Sequence, residues 1–493
     1  MNSLGPRQQS VVIVAVTVVL LGLTLALTFS DSIKGYRVLD RLKRAEIAGL
    51  LDRVSVLSGN AADRPTRSAD SSLIGSENDD LKYAEAPAAL DYSWLKRLPE
   101  KVPIDLTTLQ DGSISWTQEA EDTIIAEIER VQFPTSCSKA KWLAVPMHMG
   151  GLLSDVHQFQ ASLLFGVSFG YTVVPLPNSH LVAFAGCTEK SLHCFFQPYT
   201  NCSFYDSPHH VAFYKEASIG APRYPAGARR GAFAERNLPA KMASGALGDL
   251  VAVPIWPHYR GAPCNVKWFD ALFERLRASG SIQIHGQESY AHKEFMLYSV
   301  LSKWTMRPIK RIEHLANRLA AEFPDVRGPV LGLHVRQTDK TKEDPFYVAN
   351  GRYRTADELF EGVKQLADAR TPRWKSAFLM SDSQAFLNAV VANPGSLHLG
   401  PDVDILYNRL LNRSVMETGG HNLVRGREAT EQTDHFVAGL YVMSKMADYA
   451  IATFSSNVGR AIVELLAAER RVTQVSQVGP LADGVDEAWG TNL

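Results

Sequence analysis

Apolar and polar positions alternate with several different rhythms along the 493 residues. Val11–Phe29 has none: it is an uncharged, predominantly apolar run of 19 residues, enough to span a bilayer as a helix. A secretory signal peptide is the rival reading. The run is long for a signal-peptide core and no small-x-small pattern follows Phe29, which favours an uncleaved anchor. Ile47, Leu50, Val54 and Leu57 then fall at a/d spacing, the pattern of a short helix or coiled-coil stem through which a homodimer could form. Residues 58–80 are small and polar, as in a flexible linker.

From there the pattern becomes that of a folded body. "EAEDTIIAEIERVQF" has helical periodicity and an acidic first turn, "KWLAVPM" reads as a strand, and "HMGGLLSDVHQFQASLLFGVSFGYTVVPLP" as a glycine loop, a helix and a second strand. Together they form a β-loop-α-β unit. Residues 175–265, rich in Pro, Gly, Cys and aromatics, show no clear period. A second series begins near residue 288. "YAHKEFMLYSVLSKWTM", "KRIEHLANRLAAEF", "TADELFEGVKQLADA", "SQAFLNAVVAN" and "SSNVGRAIVELLAAERR" are helical, while "GPVLGLHV", "KSAFLMSD" and "DYAIATF" are strands. The alternation predicts an α/β fold with a parallel sheet covered on both faces. The expected organisation is a tail over 1–10, an anchor over 11–29, stem and linker over 30–80, and α/β lobes over 81–287 and 288–493.

Net charge is −1, which offers no general nucleic-acid-binding surface, so any anion site must be local. Arg7 precedes the apolar run and Lys34, Arg37, Arg41, Lys43 and Arg44 follow it. By charge alone the body would face the cytosol. The five cysteines, Cys137, Cys187, Cys194, Cys202 and Cys264, argue for an oxidising lumen. None has paired zinc-site spacing, and two disulfides with one spare thiol fit them. Five reduced, buried thiols are the alternative. The sequons at Asn201 and Asn412 are compatible with a lumen.

Three strand ends of the second series carry polar side chains: "HVRQTDK" (His334–Lys340), "MSDSQ" around Asp382, and "TFSSN" with Ser455 and Ser456. In a parallel sheet such ends share one edge, where ligands bind. Ser455 and Ser456 are placed to cap a helix whose free N–H groups and dipole favour a phosphate. Arg336 can complete a diphosphate clamp. The plainer readings are ordinary capping and a salt bridge from Arg336 to Asp339 or Asp382. Asp402-Val-Asp404 has a metal-site spelling but follows Gly400-Pro401, which breaks a leading strand. His435 with Asp434, and His157 after Gly150-Gly151, are further candidates.

These segments resemble the α1,6-fucosyltransferases, the N-glycan core enzymes and the related bacterial nodulation enzymes. "HVRQTDK" is similar to their "HVRRTDK" motif. "SVLSKWTMRPIKRIEHL", "FLMSDSQAFLNAV", "ADYAIATFSSNVGRAIVELL", "CSKAKWLAV" and "FQPYTNC" resemble further family segments. The likeness spans about 135–475. It implies a GT-B-like fold of two Rossmann-type lobes and an inverting transfer from GDP-fucose without a metal or other cofactor. Arg336 would hold the β-phosphate. His334, Gln337, Asp339, Lys340, Asp382, Ser455, Ser456 and the Gly150–Gly151/His157 segment would form the donor site. The general base would be Glu343, or Asp344 if no gap is allowed. The expected acceptor is the core GlcNAc of an N-glycan. A protein or polysaccharide acceptor, or a catalytically silent GDP-sugar-binding Golgi protein, are the alternatives. A single-pass type II protein of the Golgi membrane follows. The resemblance also implies Cys137–Cys202; proximity then suggests Cys187–Cys194, leaving Cys264 free. Departures from the family pattern are Gln337 for an Arg, Ser383 for an Asp, Gly439 for an Asp, and Ala452 and Gly459 for cysteines.

Overall fold

Among the described residues, the strands of the body form three sheets. The computed structural model describes residues 113–146, 151–176, 191–202, 250–252, 267–286, 290–337, 374–393, 402–413, 427–454, 456–473 and 482–484, with a few single positions between them, Cys187 included. All lie in the second of two units into which the chain divides, Leu81–Leu493. Val11–Phe29, the stem and Cys264 lie outside the described residues, as does most of the helix expected at "TADELFEGVKQLADA". Among the described residues no helix is long and apolar enough to cross a membrane.

The first sheet is parallel and holds β2 (Lys141–Pro146) between β3 (Tyr171–Leu176) and β4 (Leu250–Ala252). Helix α1 (Gln118–Gln132) starts where the Thr117 hydroxyl accepts the Ala120 N–H. Helix α2 (Leu152–Phe169) links β2 to β3, so the expected β-loop-α-β unit is present. A small antiparallel sheet was not legible in the pattern. It sets β1 (Ser113–Trp116) between β5 (Ile282–His285) and β10 (Val472–Thr473). Helix α3 (Lys267–Ala278) precedes β5.

The third sheet has five parallel strands in the order β11 (Ala482–Gly484), β9 (Tyr449–Ala452), β6 (Val330–Val335), β7 (Ser376–Ser381) and β8 (Asp404–Tyr407). Every residue of β6, β7 and β9 is buried, as expected of parallel strands covered on both sides. Alternation along each strand divides the core. Leu331, Leu333, Val335, Ala377 and Leu379 pack with Phe386, Leu387 and Val390 of α6 (Gln384–Ala392). The even-numbered positions face the main core, which includes Val330, Phe378 and Met380. Helix α7 (Arg427–Met446) lies on that side, so close that a Cβ on Gly332 would stand 2.8 Å from Met443 Cε. His334, two residues beyond Gly332, therefore points to the helical side, and Arg336 continues the same alternation.

Helices α4 (Tyr290–Thr305), α5 (Lys310–Ala321) and α8 (Asn457–Arg470) are the remaining α-helices among the described residues. Both expected disulfides are formed, Cys137–Cys202 and Cys187–Cys194. The segment they brace is fastened to α4 and α5. Arg307 stacks on Trp304 at 4.7 Å and donates to the Pro198 carbonyl at 3.2 Å. The Gln197 N–H donates to the Arg307 carbonyl at 2.7 Å. The Arg307-Pro308 pair inside "SVLSKWTMRPIKRIEHL" is thus a structural clasp.

Candidate functional site

The C-terminal ends of β6, β7 and β9 meet at one edge of the five-stranded sheet, as parallel pairing requires. Hydrogen bonds tie them together. The Thr453 N–H and hydroxyl both donate to the His334 carbonyl, at 3.1 and 3.3 Å. The Arg336 N–H donates to the Thr453 hydroxyl at 3.2 Å. One oxygen of Asp382 accepts the Gln337 N–H at 2.9 Å, and the other pairs with the Arg336 guanidinium at 3.2 Å. The salt bridge weighed from the sequence is therefore present. Arg336 is nonetheless 17% exposed, against 5% for Asp382, so it still reaches the open side of the cleft.

Beside it, α8 begins. Ser456 caps the helix by accepting the Val458 N–H at 3.3 Å. Gly459 in its first turn has a steric reason to be glycine: a Cβ there would stand 2.1 Å from the Thr453 carbonyl oxygen and 3.1 Å from His334 Nδ1. The helix start is thereby pressed against the ends of β6 and β9. His334 is 3% exposed, and among the described residues its Nδ1 has no hydrogen-bond partner. Burial first, and the Arg336 charge second, lower its pKa to about 3, so the ring is neutral near neutral pH.

The cleft over these strand ends runs from Val458 of α8 past His334, Arg336 and Asp382. It continues to Asn408, Leu411 and Arg413 beyond β8, and to His435, Phe436 and Gly439 of α7. Gly439, where the resemblance expects an aspartate, does line the cleft. His435 is lowered in pKa, mainly by burial. Asp434 is turned away to Arg311, which donates to it at 2.9 Å; burial still raises its pKa to about 6.

No family model matches the chain, and no curated protein matches it. Among solved structures the chain is similar to Arabidopsis thaliana FUT1 in complex with GDP, at 10% identity and a TM-score of 0.43, over 71% of this chain and 73% of that one. It is similar to POFUT1 in complex with GDP-fucose, at 15% identity and a TM-score of 0.36, over 70% of this chain and 98% of that one. It is also similar to the fucosyltransferase NodZ from Bradyrhizobium, at 12% identity and a TM-score of 0.33, over 66% and 92%.

The remaining candidates divide by position. Asp339, Lys340, Glu343, Asp344, Gly150 and Ser455 lie outside the described residues. Gly151 is the N-cap of α2. His157 lies inside the body, 3% exposed: Nδ1 bonds Asn457 Oδ1 at 2.9 Å and Nε2 bonds Glu464 Oε2 at 3.0 Å. It fastens α2 to the first turns of α8 rather than lining the cleft. Asp402 and Asp404 lie at the opposite edge of the sheet, where β8 starts, and Asp404 pairs with Arg327 at 2.9 Å. Among the described residues no three His, Cys, Asp or Glu side chains cluster as metal ligands. Asn412 is exposed. The Asn201 amide nitrogen donates to the Pro134 carbonyl at 3.1 Å.

Sequence reasoning missed Arg413. It sits in a stretch without hydrophobic period, and only the tertiary fold brings it to the cleft.

Proposed function

We propose that the chain is a fucosyltransferase that takes its donor, GDP-fucose, at the strand-end cleft. One observation carries the reading. Three segments that resemble family motifs and are far apart in sequence, around Arg336, Asp382 and Ser456, are joined by direct hydrogen bonds and an ion pair at one sheet edge. On this reading the sheets built on β2 and on β6 belong to two GT-B-like lobes, over 81–287 and 288–493.

The transfer is inverting and needs no metal. As the bond between fucose and the diphosphate breaks, negative charge grows on the β-phosphate. Arg336 and the N–H groups at the start of α8 oppose that charge where it develops, which lowers the barrier. Asp382 and Thr453 hold Arg336 in place beforehand. His157 acts from behind, through Asn457 and Glu464, to fix the helix start. Glu343, or Asp344, takes the acceptor proton. The acceptor is the core GlcNAc of an N-glycan, modified by an α1,6 linkage. The body lies in the Golgi lumen behind a type II anchor at 11–29, with a stem that permits a homodimer. The Cys137–Cys202 and Cys187–Cys194 bridges support an oxidising compartment.

The test is residues 81–493, purified with disulfides intact, incubated with GDP-fucose and a panel of N-glycans, peptides and polysaccharides, with products read by mass spectrometry. Fucosylation of an N-glycan core that persists in EDTA is expected. Fucose on another acceptor would correct the acceptor alone, and binding of GDP-fucose without turnover would replace the enzyme with a sugar-nucleotide-binding protein.

A further inference from the structure

Among the described residues, Arg413 is a buried cation with no carboxylate against it. It is 2% exposed, yet it lines the cleft. Its guanidinium is held flat by three backbone carbonyls: Nε donates to Ser381 at 3.0 Å, Nη1 to Leu411 at 3.2 Å and Nη2 to Asn408 at 3.0 Å. The Tyr407 ring, 5.9 Å away, is its other neighbour of note. Carbonyl dipoles orient the fork but do not neutralise it. Burial lowers its pKa without bringing it near neutrality, because a guanidinium does not lose its proton in a protein. Arg336, the other arginine of the cleft, already faces Asp382. The excess positive charge among the described lining residues is therefore that of Arg413.

Burying an unpaired charge is costly unless something compensates it. Three of the five N–H groups of the guanidinium are used, which leaves two to donate. The fork is fixed in advance by the ends of β7 and β8, so little side-chain entropy is lost when a ligand arrives. We propose that Arg413 is a second anion-binding residue of the cleft, and that its partner is the phosphate part of a nucleotide-linked ligand. The assignment rests on the donor-site reading above. It adds to that reading a cation from outside the three motif segments and two strands away from Arg336.

The test is titration calorimetry with GDP, GMP, guanosine and inorganic pyrophosphate on wild type, Arg413→Gln, Arg413→Lys and Arg409→Gln. Arg409 is an exposed neighbour on the same loop, so Arg409→Gln removes an equal charge from solvent. Arg413→Gln should weaken GDP and pyrophosphate roughly tenfold to a hundredfold, the range for a hydrogen bond to a charged group, and leave guanosine unchanged. Arg413→Lys should keep part of that affinity, and Arg409→Gln nearly all of it. Equal weakening of GDP and guanosine would make Arg413 a base contact, and unchanged pyrophosphate affinity at equal folded fraction would make it a strand tie; either overturns the proposal. Should Arg413→Gln not fold, the Lys variant and pyrophosphate carry the same decision. Pyrophosphate binding that depends on Arg413, without GDP binding, would leave this inference standing and remove the GDP-fucose reading. GDP binding indifferent to Arg413 would do the reverse.

Discussion

Arg336 serves a carboxylate now and would serve a diphosphate with ligand bound, and the two roles predict different losses. If it only bridges Asp382, Arg336→Ala lowers stability while activity per folded molecule stays near wild type. If it opposes the charge on the leaving diphosphate, kcat/KM falls about a hundredfold or more, as when one preorganised donor is removed. We expect the second outcome, with Arg336→Lys a poor rescue because an ammonium lacks the paired fork. Turnover of GDP-fucose normalised to folded protein decides it. Gly459 gives a second residue-level prediction. A methyl there meets the Thr453 carbonyl at 2.1 Å, so Gly459→Ala must push α8 off the strand ends. Overpacking of this kind costs about 1–3 kcal/mol, measurable by denaturant unfolding; a neutral result would mean that the helix start can give way. Arg336 and Asp382 were legible because they follow apolar strands directly. The reason for glycine at 459 was not, since it depends on a carbonyl reached only after the chain turns. Arg413 escaped for a related cause: a lone arginine in an aperiodic loop looks like any solvated charge.

Elements were read best where one period ran long. Helices α1, α2, α4, α5, α6 and α8 and strands β2, β3, β6, β7 and β9 stand where hydrophobic spacing places them. The strands that were missed are short: β1 has 4 residues and β10 only 2, and pairing partners more than a hundred residues away make them strands. Helix α2 shows what packing adds to periodicity. Its polar His157 and Gln160 are buried because α4 and α8 supply partners: Gln160 donates to Ser302 at 2.9 Å and to Thr305 at 2.8 Å, and Ser302 donates to Glu464 at 2.5 Å. Removing one member leaves buried polar atoms unpaired, which costs more than the bond itself contributed. His157→Leu should therefore lose about 1–3 kcal/mol. Adding Glu464→Gln should recover part of the loss. Chemical denaturation of the single and double variants measures the coupling, and a double variant no better than His157→Leu would place the cost in packing instead.

At the scale of the whole body, a second buried polar network joins α1, α4, α7 and α8. Lys445 of α7 pairs with Glu469 of α8, and Lys303 of α4 pairs with Glu121 of α1. Arg471, which ends α8, lies 3.7 Å from Glu121. Burial is the main force on Lys445. Glu469 raises its pKa, while Lys303 and Arg471 lower it, and the result is about 8 against an ordinary 10.5. Because the folded-state value is depressed, the unfolded chain binds the proton more tightly between pH 8 and 10.5. Stability contributed at this site must then rise as pH rises through that window. Over the full shift this amounts to at most roughly 3 kcal/mol. Other groups titrate in the same range, so the comparison that isolates Lys445 is with Lys445→Met, which fills similar space without a charge. Relative to that variant, the wild type should gain stability from pH 8 to pH 10 and be at its relative weakest below pH 8. Urea unfolding of both proteins at half-unit steps reads the difference directly. Parallel pH profiles would show that Lys445 keeps its proton throughout, and that Glu469 outweighs burial and the two neighbouring cations together.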